Sequence, residues 1–234
     1  MQAVILAAGK GTRMQGLTEQ VPKPMLKVAG KTLLEHKFDV LPSEIDEIIL
    51  IIGYQGEVIR DCFGESYKGI PIKYVEQEKI DGTGSALWLA RPLLKDRFIV
   101  MMGDDLYCEA DAKSCIQTKD WSMLVEKTET MAAGGRVVTN DEGIITDIEE
   151  GDHTGKPGHM NTNMLVLDTR VFEYPLVSKA VGSEEYGLPQ TILQASKNSG
   201  IPLAAICSTF WFQVTAPEDL TRAEARLKEI EGKG

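Results

Sequence analysis

The chain has 234 residues, 43% of them hydrophobic, and a formal net charge of -10. A chain of this length can bury a complete hydrophobic core, and because it fits one large domain as readily as two small ones, a single domain is the simpler expectation. The negative charge disfavours nucleic acid and anionic membranes as main partners, since both require a basic face.

The first half of the sequence alternates between strand-length and helix-length apolar segments. Strands are predicted at residues 4–6, 47–52, 72–75 and 98–102. Helices are predicted between them, at residues 32–41, 56–62 and 83–94. This order is typical of parallel strands that are buried on both faces and connected by crossover helices. The longest apolar runs fall far short of the ~20 residues that span a membrane, so no transmembrane segment is expected.

The pattern changes after Asp105, where short strands separated by turns predict a more antiparallel half. These strands are predicted at residues 123–126, 136–138, 144–149 and 161–167. The segment 151–159 is rich in Gly, Asp and Pro and predicts a mobile loop beside the functional site. A closing helix is predicted from Pro217, and it carries one apolar stripe, formed by Leu220, Ala223, Leu227 and Ile230.

The N-terminus and the cysteines indicate the compartment. The first residues lack the basic region of a signal peptide and lead straight into a Gly-rich motif, so a cytoplasmic location is expected. The four cysteines are scattered and form no C-x-x-C pair; they are Cys62, Cys108, Cys115 and Cys207. This spacing favours reduced thiols in the core over a disulfide or zinc framework.

A Gly-rich loop follows the first predicted strand, within a region of positive charge. Residues 1–31 contain five basic side chains and one acid, a sum of +4, which leaves -14 on the rest of the chain. Small residues in the loop let backbone N–H groups approach a phosphate, and Lys10 and Arg13 can balance its charge. Two common phosphate motifs do not fit: the dinucleotide fingerprint would need glycine in place of Met14, and the P-loop would need a Gly-Lys-Ser/Thr run.

Two motifs in this region resemble the signature of the sugar-phosphate nucleotidyltransferases. The first is Leu6-Ala7-Ala8-Gly9-Lys10-Gly11-Thr12-Arg13-Met14, and the second is Pro22-Lys23-Pro24-Met25. The resemblance implies an α/β fold: a single three-layer nucleotidyltransferase domain over residues 1–234, with a Rossmann-like, mixed but mainly parallel sheet. Residues 1–110 would form the nucleotide-binding half and residues 111–234 the more antiparallel sugar-phosphate-binding half, with no appended C-terminal β-helix domain.

The resemblance also implies roles for the residues of both motifs. Arg13 would steady the departing pyrophosphate, and Lys23 would contact the reacting phosphates, including that of the sugar phosphate. Together with Asp104, these two residues form the implied catalytic set. The loop residues would wrap the triphosphate of an NTP; they are Leu6, Ala7, Ala8, Gly9, Gly11 and Thr12.

A further part of the resemblance concerns the nucleotide base. Gln77 stands five residues before Gly82 and Thr83, as in family members that use uridine or thymidine nucleotides. A Gln amide offers a donor and an acceptor, which match a carbonyl and the N3–H of uracil or thymine. Gly82 and Thr83 are predicted to begin a helix whose first amides help to hold the base edge.

The predicted strand 98–102 ends in Gly103, Asp104 and Asp105, at the edge where α/β sheets place ligands. In the family the acid directly after this glycine binds Mg²⁺, which implies Asp104 as the metal ligand; Asp105 is interpreted as the cap of the following turn. Relatives carry a second acidic ligand at the position of Gln213. A neutral amide can coordinate Mg²⁺ but brings no charge, so Gln213 would be a weaker metal ligand.

Three short motifs in the second half resemble the family's sugar-binding region. They place Gly135, Glu150 and Asn161 where relatives bind the sugar with a backbone amide, a carboxylate and a carboxamide. For each of the three, an ordinary turn or strand-end role is the alternative. Several relatives also carry a lysine shortly after the equivalent of Glu150, whereas Gly151 and Asp152 follow it here.

These expectations combine into a Mg²⁺-dependent enzyme whose partners are an NTP and a sugar 1-phosphate. It would transfer a nucleoside monophosphate, with UTP or dTTP favoured, and release pyrophosphate. One alternative is the same fold acting on another pair, such as GTP with mannose 1-phosphate or CTP with a phosphorylated alcohol. Another is a catalytically weak regulatory relative, which Gln213 favours. The sequence carries no signal for an oligomeric state.

Overall fold

The computed structural model describes residues 1–131 and 134–231. Its β-strands are β1 (Gln2–Leu6), β2 (Lys27–Val28), β3 (Lys31–Thr32), β4 (Glu47–Ile52), β5 (Ser66–Tyr67), β6 (Ile70–Glu76), β7 (Phe98–Met102), β8 (Asp105–Tyr107), β9 (Trp121–Thr128), β10 (Gly134–Thr139), β11 (Ile145–Gly151), β12 (Gly158–Leu167), β13 (Leu203–Cys207) and β14 (Trp211–Gln213). Its α-helices are α1 (Leu33–Asp39), α2 (Gly56–Phe63), α3 (Thr83–Ala90), α4 (Glu109–Gln117), α5 (Leu188–Ser199) and α6 (Pro217–Glu231). Short 3-10 helices cover Thr12–Met14, Lys23–Met25, Arg91–Leu93 and Thr169–Glu173.

The first half forms the parallel sheet that the sequence predicts. β1 pairs in parallel with β4 on one side and with β7 on the other, and β4 pairs in parallel with β6. Every residue of β1 and β4 is buried, because helices cover both faces of the sheet. The order β7-β1-β4-β6 places four strand ends side by side at one edge.

The side chains of β1 show how the three layers alternate. Val4 and Leu6 pack with α3 and α5 on one face, while Ala3 and Ile5 pack with α1, α2 and α4 on the other. A fully buried Leu, Ile or Val is worth roughly 1.5–3 kcal/mol relative to an exposed one. The two apolar clusters are therefore the main stabilising force that holds the strand ends in place.

The second half joins this sheet through antiparallel pairing, also as predicted. β12 runs antiparallel to β7, with Leu165 opposite Val100. β12 also pairs with β9 and β10, and β10 pairs with β11. β13 departs from the pattern, since it runs parallel to β9. The result is a mixed sheet that continues from the first half of the chain into the second.

Two helices are shorter than the sequence predicts, for local reasons. α1 begins after Thr32 because Thr32 is its cap: its hydroxyl accepts from Glu35 N–H at 3.0 Å, and the Glu35 carboxylate accepts from Thr32 N–H at 2.6 Å. α3 ends at Ala90 rather than at residue 94, because Pro92 follows and cannot continue an α-helix.

Several segments of the second half also differ from the prediction. The loop expected at residues 151–159 is shorter, since Gly151 ends β11 and Gly158 begins β12. α4, α5 and β13 lie where no element is predicted. The inner face of α4 carries the buried Asp111, which accepts from Thr209 N–H at 2.9 Å and from Phe210 N–H at 3.0 Å. A helix held by a buried acid shows no apolar stripe that periodicity can detect.

The predicted closing helix is confirmed as α6. Ala223 is fully buried in a small cluster that includes Met14 and Leu106, whereas Ile230 is 44% exposed and extends past it. No helix in residues 1–131 or 134–231 combines the length and apolarity needed to cross a bilayer.

The four cysteines are free, but only one is a core thiol. Cys115 is buried, and burial raises its pKa to about 12. Cys62 and Cys207 are exposed and Cys108 is half-buried, so the expected core placement is wrong for these three. Cys62 lies on the outer side of α2, and Cys207 is the last residue of β13, where the strand leaves the core.

Hydrogen bonds between two distant segments, residues 81–84 and 186–188, form what we call the strap. Gly82 makes their approach possible: its φ is 114°, and a Cβ at this position would lie 2.2 Å from Tyr186 O. The strap thus fixes the start of α3 against the second half of the chain. Its bonds run from Tyr186 N–H to Asp81 O at 2.7 Å, from Gly84 N–H to Tyr186 O at 2.9 Å and from Leu188 N–H to Thr83 Oγ1 at 3.2 Å.

We expect Gly82→Ala to open the strap. A clash with backbone costs about 2–3 kcal/mol, which corresponds to a loss of roughly 4–12 °C in Tm for a chain of this size. Hydrogen exchange at residues 186–188 should accelerate in the same variant. The control is Gly69→Ala, which has φ 88° but no atom within 4 Å of the added Cβ, and which should shift Tm less. Equal shifts, with exchange unchanged at Tyr186, would contradict the strap.

Candidate active site

A groove runs along the edge of the sheet where β1, β4, β6 and β7 end. It contains a cavity of about 590 Å³ and a smaller one of about 220 Å³. Crevices at the carboxyl ends of parallel strands are where α/β folds bind ligands, so the groove is the candidate site. The two cavities adjoin through residues that line both: Leu6, Gly9, Thr12, Arg13 and Met102.

The Gly-rich loop after β1 forms one wall of this groove. The backbone of the loop passes close to Lys23, and Gly11 permits the approach. The φ of Gly11 is 62°, and a Cβ on Gly11 would lie 2.8 Å from Lys23 Cβ. Backbone N–H groups exposed by such a loop can cradle a phosphate. All the loop residues implied in triphosphate binding line one or both cavities, namely Leu6, Ala7, Ala8, Gly9, Gly11, Thr12 and Arg13.

Lys10 lies apart from Arg13, although both belong to the loop. It lines a neighbouring cavity of about 280 Å³ together with Glu57, Glu76 and Glu78. No residue that the structure describes lines both this cavity and the cavity that contains Arg13 and Asp104. The structure therefore favours Arg13 over Lys10 as the cation of the loop that serves the groove.

Lys23 and Asp104 form an ion pair in the smaller cavity. Lys23 belongs to a short 3-10 helix, and its Nζ contacts Asp104 Oδ2 at 2.5 Å. Their side chains are 10% and 26% exposed, so the pair is largely desolvated yet open to the cavity. Arg13 lines the same cavity. The fold thus brings the three implied catalytic side chains together.

The donor set at Asp104 fits a magnesium ion that is shared with a bound phosphate. Mg²⁺ usually takes one or two carboxylates and completes its shell with water and phosphate oxygens, and Asp104 faces the cavity lined by the Gly-rich loop. Across the described parts of the chain, no three His, Cys, Asp or Glu side chains form a metal cage of protein groups alone. Gln213 is exposed and lines the larger cavity, and in β14 it lies opposite Asp105.

Asp105 is not the cap of a turn, contrary to the sequence interpretation. It begins β8, is buried, and accepts from Trp211 Nε1 at 3.1 Å. Behind it, Lys37 on α1 is fully buried; within the described residues its Nζ has no hydrogen-bond partner, and it lies 4.8 Å from the centre of the Tyr107 ring. Burial raises the pKa of Asp105 and lowers that of Lys37, and the attraction between the two opposite charges opposes both shifts.

Gln77 is buried directly after β6, and its amide is partly occupied by the protein. Nε2 donates to Gly82 O at 3.1 Å and to Ser85 Oγ at 3.2 Å, which leaves Oε1 as the group for a ligand. The strap uses the N–H of Gly84 at the start of α3. Gln77, Gly82 and Thr83 all line the larger cavity, but the groups they offer to a base are fewer than the sequence suggests.

The three residues implied in sugar binding also lie together in the larger cavity. Gly135 stands opposite Glu150 in the β10–β11 ladder, and Asn161 lies on the neighbouring strand β12. Gln190 Nε2 donates to Glu150 Oε1 at 2.8 Å and so orients the carboxylate. The larger cavity, which adjoins the one that contains Asp104, therefore presents an acid and an amide.

Residues 179–190 complete the wall of this cavity, and sequence reasoning missed them. Lys179 brings a positive charge to the cavity, and its Nζ lies 3.3 Å from Glu185 Oε2. The apolar spacing of Leu188, Ile192 and Ala195 is a helical signal that could have placed α5 here. The missed polar and aromatic side chains that line the cavity are Lys179, Glu185, Tyr186, Gln190, Asn163 and Trp211.

Comparisons with known proteins identify the family of this chain. The sequence matches the model of the family described as Nucleotidyl transferase over residues 2–229. It is 34% identical over 232 residues to the bifunctional protein GlmU of Methanocaldococcus jannaschii, and the alignment covers 97% of this chain and 54% of GlmU. It is 32% identical over 238 residues to the UTP–glucose-1-phosphate uridylyltransferase AglF of Haloferax volcanii, covering 98% of this chain and 97% of AglF.

A solved structure shows the same fold. HddC from Yersinia pseudotuberculosis, complexed with GMP-PN, matches with a TM-score of 0.74 and 22% identity over 97% of this chain and 99% of HddC. The chain spans about half the length of GlmU but nearly all of AglF. Because the family match extends over almost the whole sequence and includes both motifs of the groove, the chain belongs to the nucleotidyl transferase family.

Proposed function

We propose that this protein is a sugar-1-phosphate nucleotidyltransferase that acts as a single domain in the cytoplasm. It joins the nucleoside monophosphate of an NTP, with UTP or dTTP preferred, to a sugar 1-phosphate and releases pyrophosphate. The observation that carries the proposal is the meeting of Arg13, Lys23 and Asp104 beside a larger cavity that holds Glu150 and Asn161. This arrangement offers a charged centre for phosphates and a polar pocket for a sugar.

The reaction requires charge neutralisation and alignment rather than a general base. A sugar phosphate is ionised at neutral pH, so its oxygen can attack the α-phosphorus in line with the departing pyrophosphate. Arg13 and Lys23 offset the negative charge on the phosphate oxygens as it shifts toward the leaving group. His36 and His153 each bond to a backbone carbonyl, of Val28 at 2.8 Å and of Glu149 at 3.0 Å, and neither lines the two cavities of the groove.

Asp104 would hold the magnesium ion, with Gln213 as a weaker second candidate. When bound, the ion supplies positive charge to the phosphate oxygens. Lys23 contacts Asp104 in the structure, and an ammonium group has three donors. Lys23 can therefore keep one N–H on the carboxylate while the others reach a phosphate, which places the nucleotide beside Asp104.

The preference for UTP or dTTP rests on Gln77 and on the likeness to AglF, whose name states UTP as its substrate. Gln77 Oε1 is the acceptor left for a ligand, and it can accept from the N3–H of uracil or thymine. Guanine also presents an N–H at its Watson–Crick edge. GTP is therefore the competitor that a test must include.

We expect Arg13→Ala to lower the rate of pyrophosphate release by roughly 100- to 1,000-fold, the usual cost of one preorganised donor. The rate is measured over a matrix of NTPs and sugar 1-phosphates. Lys10→Ala is the matched control, because it removes the same charge from the same loop but faces the neighbouring cavity, and it should change the rate little. Equal losses in both variants would contradict the assignment of Arg13, and a wild-type protein inactive on every pair would contradict the proposed function.

Gln77→Ala should erode the preference for UTP over GTP by about tenfold, which corresponds to about 1.4 kcal/mol, while the rate with UTP falls less. The reason is that the loss of a hydrogen bond to the base weakens the selection between NTPs more than it slows the chemical step. The measurement is kcat/KM for each NTP, with the exposed neighbour Glu78→Ala as control. A wild-type preference for a purine NTP would show that Gln77 does not select a pyrimidine.

Asp104→Asn should abolish activity at any practical magnesium concentration, whereas Gln213→Asp should lower the concentration that gives half the maximal rate. A carboxylate attracts Mg²⁺ more strongly than an amide does. Gln194→Asp makes the same change at an exposed position of α5 and should not alter the magnesium concentration that gives half the maximal rate. If Gln213→Asp also leaves this concentration unchanged, residue 213 is not a ligand of the magnesium ion.

A further inference from the structure

Asn163 has an unusual backbone conformation within β12. Its φ is 57°, in the left-handed region that glycine adopts freely and other residues adopt at some cost. The pairing with β9 is interrupted here: Asn161 lies opposite Val125 and Leu165 opposite Met123, so three residues of β12 face a single residue of β9. Such a bulge turns side chains away from the regular alternation of a strand.

The bulge is held by buried hydrogen bonds. Thr162 Oγ1 donates to Leu124 O at 2.8 Å, and Tyr107 OH donates to Thr162 O at 2.8 Å. Both bonds are inside the protein, so the geometry at residues 162–164 is built into the fold. A strained backbone that the surroundings fix in this way is a common property of functional sites.

The consequence of the bulge is that Asn161 and Asn163 both face the larger cavity. Asn163 N–H donates to Asn161 Oδ1 at 2.8 Å, and Asn161 Nδ2 donates to Asn163 Oδ1 at 3.0 Å. Both amide oxygens are therefore used within the pair. In the described residues nothing accepts from Asn163 Nδ2, so its two N–H groups are available to donate to a ligand in the cavity that Asn163 lines.

The surroundings of this donor indicate what it binds. Glu150 and Gly135 lie across the same cavity, and the Glu150 carboxylate is oriented by Gln190. A sugar ring offers hydroxyl groups that donate to such a carboxylate and oxygens that accept from an amide. The carboxylate can only accept hydrogen bonds from the sugar hydroxyl groups, whereas the carboxamide N–H groups donate to the sugar oxygens.

We propose that Asn163 is a specificity-determining residue that donates from Nδ2 to an oxygen on the sugar, either a ring hydroxyl or the carbonyl of an acyl substituent. This inference rests on the proposed function and names a further contact of the same site. Glycine would satisfy the backbone at φ 57° without strain, yet this chain keeps a side chain there, and that side chain faces the sugar end of the groove.

The test compares the wild type with Asn163→Gly over a panel of sugar 1-phosphates: glucose, its 2-deoxy form and N-acetylglucosamine, followed by other monodeoxy forms of the best substrate. Asn163→Gly should raise KM for the best sugar 1-phosphate about tenfold, while kcat and KM for the NTP stay close to the wild type. The analogue that lacks the contacted oxygen should show no difference between the two proteins. Which analogue behaves in this way separates a hydroxyl from an acyl carbonyl.

A structural role alone predicts a different result. Glycine fits the backbone, so Tm should not fall; the control Lys68→Gly relieves a comparable φ of 48° far from the groove and should leave every KM unchanged. If Asn163→Gly lowers kcat for all substrates alike, or leaves the sugar KM unchanged, the inference is overturned. Asn163→Asp keeps the oxygen that receives Asn161 Nδ2 but loses both donors, so normal KM values in this variant would also overturn it.

Failure of the proposed function can be told apart from failure of this inference. If the wild type turns over no sugar 1-phosphate, isothermal titration calorimetry measures the binding of the same compounds directly. Weaker binding to Asn163→Gly than to the wild type then supports the contact without the reaction. Equal affinities, or no binding to the wild type, overturn the contact.

Discussion

The candidate site depends on the register between β1 and β7. Leu6 lies opposite Met102, and Gly103 N–H donates to Leu6 O at 2.9 Å, so both strands end at the same level. One strand continues as the Gly-rich loop and the other as the turn that contains Asp104. Gly103 allows the two to touch, since a Cβ there would lie 3.0 Å from Ala7 Cβ. A slip of two residues would move Asp104 by roughly 6–7 Å, out of reach of Lys23.

Local patterns allowed the parallel half and the two motifs that line the groove to be predicted, because the burial of β4 on both faces and the small residues of the loop show in contiguous sequence. The elements and residues that were not predicted depend on contacts with residues far away in the sequence. α4 is held by Asp111 to residues 209 and 210, about a hundred positions away. Lys37 could be noticed in the sequence, since it occupies the buried face of α1 beside Leu34 and Phe38. Its interaction with the charge of Asp105 could not be identified without the fold. Asn163 belongs to a bulge that no periodicity shows.

Charge balance explains how two adjacent aspartates coexist at an anion site. Asp104 is paired with Lys23 at the cavity, and Asp105 interacts with Lys37 in the interior. An unpaired buried carboxylate would be costly, and two uncompensated ones would repel a triphosphate. Each acid thus has a lysine that offsets its charge, and Arg13 lines the cavity of Asp104 and Lys23 as a further cation.

The strap affects the order in which the parts of the chain fold. The bond between Thr83 and Leu188 joins residues 105 positions apart. The entropy of closing so long a loop is lost before the contact stabilises anything, so such contacts form late in folding. On a ribosome, the start of α3 therefore stays unanchored until residues 186–188 have emerged. A fragment of the first 110 residues would contain the Gly-rich loop, Gln77 and Asp104, but not the backbone groups that hold residues 81–84, so we expect the start of α3 to stay unanchored in it.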